Sequence, residues 1–128
     1  MITKNEIKFV RSLRIKKNRI NSDQFIVEGE KIVDELINSS LELVRVYSTS
    51  SKHESLGEVY TKILITNLLQ ISNLTTPNKV VAIFSIPKPD KIDFTSKIIA
   101  LDNISDPGNL GTIIRLCDWF GIKDLICN

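Results

Sequence analysis

The chain has 128 residues, 42% hydrophobic and 25% charged, with a formal net charge of +2 and two cysteines. That length suits one domain or two small ones and buries about two-thirds of the unfolded surface, so a core forms without staples. No apolar run approaches the roughly 20 residues of a membrane helix, the basic N-terminus has no apolar stretch behind it, and two cysteines with a lone His53 make no recognisable zinc site, so the expectation is a metal-free cytoplasmic protein with Cys117 and Cys127 as reduced core residues.

Residues 4–17 read as an amphipathic helix, with Ile7, Val10 and Leu13 at helical spacing and the cations outward. Phe25-Ile26-Val27 is a short strand, and Glu28-Gly29 turns it into a helix running to about Ile37. Leu43–Tyr47 is a strand, 48–55 a polar loop containing His53 in no chemical role, and Leu56–Tyr60 a short helix. Ile63–Ile65 is a strand, and Asn67 is the N-cap expected for a helix over Leu68–Leu74. Thr76-Pro77-Asn78 turns into Lys79–Ile86, whose nearly unbroken apolar run predicts a buried strand.

Composition changes at Pro87-Lys88-Pro89-Asp90-Lys91, a proline-bearing linker. Beyond it come strand Lys97–Leu101, helix Leu110–Phe120 with Gly121 past its end, and strand Asp124–Cys127. Alternating strands and helices mean an α/β architecture. The division predicted is 1–87, a linker at 88–96, and 97–128. The last part supplies only β-α-β, too little to enclose a core, so it is expected to belong to a longer protein or to be completed by a partner.

The charge is distributed unevenly. Residues 4–19 hold Lys4, Lys8, Arg11, Arg14, Lys16, Lys17 and Arg19 against Glu6 alone, a local net charge of +6 on a remainder of −4. A cationic arm on an acidic body points to a polyanionic partner, while the ordinary alternative is a solvated helix face. Contacts from such an arm go to phosphates and carry little sequence information.

The joint at 102–121 reads DNISDPGNLGTIIRLCDWFG. Asp106 is suited to cap the following helix and Pro107 to its first turn, at the carboxyl end of a strand, where free N–H groups favour an anion. Neither GxGxxG nor a P-loop is present. On a helical wheel Leu110, Ile113, Ile114, Cys117 and Phe120 share one side, and Arg115 lies opposite between Thr112 and Trp119. An exposed Arg–Trp pair and a face covered by a subunit or ligand fit that pattern equally.

Asp106-Pro-Gly-Asn109-Leu-Gly-Thr-Ile-Ile-Arg115, ending Phe120-Gly121, resembles the first motif of the SpoU (TrmH-like) RNA ribose 2′-O-methyltransferases. Phe25-Ile-Val-Glu28-Gly29-Glu-Lys31 resembles the strand-to-helix turn of that family's substrate-binding domain, and Thr76–Ile83 fits its layout. The resemblance implies an N-terminal three-layer α/β sandwich similar to ribosomal proteins that bind kinked RNA, followed by the start of a trefoil-knotted methyltransferase domain. It implies methyl transfer from S-adenosylmethionine to a ribose 2′-hydroxyl of ribosomal or transfer RNA, by a homodimer. It assigns Asn109 and Arg115 to catalysis. RNA binding goes to the seven cations of the arm with Glu28, Gly29 and Lys31, although a structural role at the turn is the competing reading of Glu28 and Gly29. The motifs that hold the cofactor have no counterpart before Asn128, so the chain alone is expected to be inactive. The runner-up is a non-catalytic RNA-binding module, and a small protein-interaction domain is a third class.

Overall fold

A computed structural model describes residues 1–127, which divide into two compact units, Met1–Lys88 and Pro89–Asn128. The first is built on four strands: β1 (Gln24–Glu28), β2 (Leu43–Ser48), β3 (Tyr60–Lys62) and β4 (Val80–Ser85), in the spatial order β1-β4-β2-β3. β4 runs antiparallel to both β1 and β2, while β2 and β3 are parallel. The sheet is therefore mixed.

The central β4 explains the two-sided core. Its residues alternate faces, as a strand must. Val81 and Ile83 join Val10, Leu13, Tyr47, Leu68 and Ile71 on one side, under α1 (Lys4–Ser12) and α4 (Ile65–Ile71). Val80, Ala82 and Phe84 join Val27, Val33 and Val46 on the other, under α3 (Glu30–Ile37) and a 3₁₀ segment, Glu54–Val59. This is the expected three-layer sandwich, and the apolar run at 79–86 is its buried middle strand.

The expected single helix over 4–17 is two helices, α1 and α2 (Lys16–Ser22). Leu13 is buried, and Ile15 takes an extended conformation with φ −91° and ψ 125°. Side chains bond the carbonyls at the break. Asn18 Nδ2 donates to Ser12 O at 2.9 Å, and Arg19 Nη1 donates to Leu13 O at 3.0 Å and Arg14 O at 2.8 Å. The region 56–71 is also shifted from expectation. Strand β3 lies at Tyr60–Lys62, and Asn67 sits inside α4, whose N-cap is Leu64. β-branched Ile63 and Ile65 imitate a strand in sequence, but the parallel register of β3 with Val46–Ser48 ends at Lys62, and after a last bond from Ile63 N–H to Ser48 O at 2.9 Å the chain turns into α4.

The second unit comprises β5 (Ile98–Leu101), α5 (Pro107–Trp119) and β6 (Asp124–Cys127), with β5 and β6 parallel in the register Ile98↔Asp124 to Leu101↔Cys127. Gly121 follows α5 with φ +65°. Cys117 is the buried residue of α5, whereas Ile114, Leu116, Trp119 and Phe120 are exposed. Cys127, expected in the core, is exposed, because a two-stranded sheet has no second layer over it. No helix among the described residues is long and apolar enough to cross a membrane.

Candidate nucleic-acid interface and the Asp106–Arg115 motif

The cationic arm is α1, its break and α2. A capping box starts α1: Glu6 N–H donates to Thr3 Oγ1 at 3.2 Å, and Thr3 N–H donates back to Glu6 Oε2 at 2.8 Å. With Val10 and Leu13 anchored in the core, Lys4, Lys8 and Arg11 recur at i, i+4 and i+7 and are exposed, as are Arg14, Lys16 and Lys17. Arg19 is half-buried because it serves the break. Phe9, an aromatic within the arm that the charge pattern hides, is 40% exposed. Glu6 is tied inward: the Tyr47 hydroxyl donates to it at 3.2 Å, and burial beside this carboxylate pushes the Tyr47 phenol well above its ordinary value.

The turn between β1 and α3 sits at the end of the sheet. Gly29 is buried with φ +105°, a backbone state that L side chains rarely adopt, and its N–H donates to Val80 O at 3.3 Å. Lys31 is exposed beside it, in a shallow depression of about 330 Å³ lined by Gly29, Glu30, Lys31, Ile32, Glu35 and Asn78. Glu28 faces inward, accepting from the Ser72 hydroxyl and from Asn73 N–H at 2.7 Å. Its partners lie 44 and 45 residues away, beyond what local spacing shows.

His53, expected as a bystander in a polar loop, is 6% exposed. Its Nε2 lies 2.8 Å from Asp34 Oδ1, and Lys52 pairs with the same carboxylate. These hydrogen bonds, that from Lys52 first, hold Asp34 below the ordinary carboxylate range. The polar cluster fastens the loop after β2 to α3.

In the second unit, Asp106 caps α5 as the sequence predicts: Asn109 N–H donates to its Oδ1 at 2.7 Å, and Pro107 opens the helix. Asn109 and Arg115 are both exposed. The Arg115 side chain reaches back one turn, placing Nη2 3.8 Å from the position a Cβ on Gly111 would take. Among the described residues it has no ion pair. The guanidinium thus lies toward the end of α5 that opens from β5, with its donors available. The sequence pattern includes Gly111 but not its link to Arg115; their i, i+4 relation is the signal.

Residues 4–82 match the family described as the MRM3-like substrate binding domain, and residues 96–128 match the SpoU rRNA Methylase family. The chain belongs to the MRM3-like substrate binding domain family, joined here to part of a SpoU rRNA Methylase domain. It is 28% identical over 94% of its length to the 23S rRNA (guanosine(2553)-2′-O)-methyltransferase of Bacillus subtilis, covering 50% of that protein. Among solved structures it matches a TrmH-family protein from Porphyromonas gingivalis with a TM-score of 0.82 and 32% identity over 99% of this chain and 52% of that one. The AdoMet-bound rRNA methyltransferase of Sinorhizobium meliloti matches with a TM-score of 0.77 and 26% identity, again over 99% and 52%. The chain thus spans about half the length of these relatives. Their fold identifies β5-α5-β6 as part of a SPOUT methyltransferase domain.

Proposed function

We propose that this chain carries the RNA-capturing domain and first catalytic motif of a methyltransferase acting on ribose 2′-hydroxyls of ribosomal or transfer RNA, with S-adenosylmethionine as methyl donor. Residues 1–87 bind substrate, 88–96 link, and 97–128 begin the methyltransferase domain, which works as a homodimer in the cytoplasm. Arg115 carries the reading: an exposed guanidinium, with no acidic partner among the described residues, lies over the first turns of the helix that Asp106 caps.

A ribose hydroxyl is a weak nucleophile until its proton leaves, and it needs in-line placement. A guanidinium stays protonated and is unsuited to take that proton. Arg115 instead grips the neighbouring phosphate through paired N–H donors and stabilises the developing alkoxide. Asn109, on the first turn of α5, orients the ribose or the guanidinium through its amide. The positive end of α5 adds to the pull on negative charge. Residues 102–109 are all exposed. The role assigned to them lies on the RNA side. Lys4, Lys8, Arg11, Lys16 and Lys17, with Arg14, Arg19 and the Gly29–Lys31 turn, hold the RNA backbone.

The test expresses the complete reading frame and supplies ribosomal and transfer RNA with methyl-labelled S-adenosylmethionine. Digestion to nucleosides should place the label in 2′-O-methylated species. Label confined to bases, or none, contradicts the proposal.

A further inference from the structure

The arm's cations are not equivalent. The side chains of Lys4, Lys8, Arg11, Lys16 and Lys17 have no hydrogen bond or ion pair among the described residues. Arg14 is held at both ends. Its Nη2 donates to Ser72 O, 2.5 Å away just past α4, and its own main-chain oxygen accepts from Arg19 Nη1 at 2.8 Å. Ser72 is itself fixed. It is 6% exposed, its hydroxyl donates to Glu28 Oε2, and Ser72 Oγ accepts from Leu74 N–H at 3.1 Å. Glu28 Oε1 accepts from Asn73 N–H at 2.7 Å, which closes the bracket around the end of α4.

This arrangement has an energetic consequence. A free arginine or lysine loses up to about 2 kcal/mol of rotamer freedom when a ligand immobilises it. A side chain already immobilised by its own protein has lost that freedom before binding, so its contact contributes more net affinity. One engaged N–H leaves the rest of the guanidinium fork for a phosphate, and Arg14 is exposed. Glu28 has both carboxylate oxygens engaged inside the protein, and a carboxylate offers a phosphate only repulsion.

We propose that Arg14 is the pre-organised anchor of the RNA surface, and that Glu28, acting through Ser72, is its positioning residue and makes no RNA contact. This rests on reading residues 4–19 as an RNA-binding arm. It adds Ser72 to the functional residues and moves Glu28 from the contacting set to the supporting one.

The test titrates the 128-residue chain against a short fluorescent RNA of mixed sequence across a salt series, with thermal melts confirming that each variant is folded. Lys8→Ala and Arg14→Ala should each flatten the dependence of log K on log salt by about 0.7. Arg14→Ala should also weaken binding about tenfold or more, and more than Lys8→Ala does. Glu28→Ala gives an opposed pair of outcomes: charge alone tightens binding when a carboxylate is removed, whereas loss of positioning weakens it several-fold. The proposal expects weakening, expects it to vanish in the Arg14→Ala background, and expects Glu28→Gln, which keeps an acceptor, to bind nearly as the wild type. Ser72→Ala, a milder change, should weaken binding in the same Arg14-dependent way. Tighter binding by Glu28→Ala, or a loss that persists undiminished without Arg14, overturns it. So does an Arg14→Ala loss no larger than that of Lys8→Ala. Absence of wild-type binding, or a slope unmoved by Lys8→Ala, overturns the arm reading instead.

Discussion

Arg115 and Gly111 stand one turn apart on α5, and the guanidinium Nη2 lies 3.8 Å from the place a Gly111 Cβ would occupy. A methyl group there makes an ordinary contact and no clash, while a larger side chain competes for the space. Gly111 lies within the helix and has no positive φ, so Gly111→Ala should stabilise the chain by about 0.5–1 kcal/mol, read as a higher midpoint in urea, without moving Arg115. Gly111→Leu should displace the guanidinium and lower methyl transfer. Equal activity of the alanine and leucine variants would separate Gly111 from Arg115's placement.

Gly29 is constrained for a different reason. The nearest side-chain atom to an added Cβ, Asn78 Nδ2, is 3.6 Å away, so there is room, but φ of +105° strains any L residue. Gly29→Ala should destabilise by about 1–3 kcal/mol in equilibrium unfolding. An unchanged midpoint would show that the turn relaxes at little cost.

How far the sequence discloses this molecule depends on the range of the interactions. The buried β4, the α3 turn at Gly29 and the Asp106 cap are legible because each is written within a few neighbouring residues: an apolar run, a glycine after a strand, an acid before proline. The break between α1 and α2 is not, since Leu13's burial and the capping by Asn18 and Arg19 override a helical pattern that continues through residue 17. Around Ile63–Ile65, β-branched residues suggest a strand where the chain leaves the sheet and enters α4. At the site, the spacing from Asp106 to Arg115 shows the motif. The links from Glu28 to Ser72 and from Arg14 to Ser72 span 44 and 58 residues and belong to tertiary structure alone. His53's burial against Asp34 is likewise invisible in a polar loop.

The start of α1 carries a pH dependence. Hydrogen bonds from the Thr3 hydroxyl and amide hold the Glu6 carboxyl below its ordinary 4.5. A depressed folded-state value gives stabilisation that is complete above 4.5 and lost as pH falls through the lower folded value. Asp34, held low by Lys52 and His53, acts in the same direction. Thr3→Ala should cost about 0.5–2 kcal/mol at neutral pH. The gap between its melting temperature and that of the wild type should narrow in acid, to what the Glu6 N–H bond to Thr3 Oγ1 contributes, and a constant gap down to strongly acidic pH would exclude the Glu6 carboxylate contribution.

The arm makes an ionic prediction. Reversing Lys4, Lys8 and Arg11 to glutamate together should flatten the salt dependence of RNA binding by roughly 2 units of slope, at about 0.7 per lost phosphate contact. Melting should change little, because all three are exposed and without partners among the described residues. A slope equal to the wild type would mean that these cations are only a solvated helix face.

The central claim is that Arg115 meets the RNA at the reacting ribose. The most direct measurement compares Arg115→Ala with the wild type, both from the complete reading frame, under single-turnover methyl transfer and in parallel RNA binding. Turnover should fall to background while RNA affinity falls only a few-fold. Retained turnover, or a loss of turnover that merely tracks a loss of RNA binding, would contradict it.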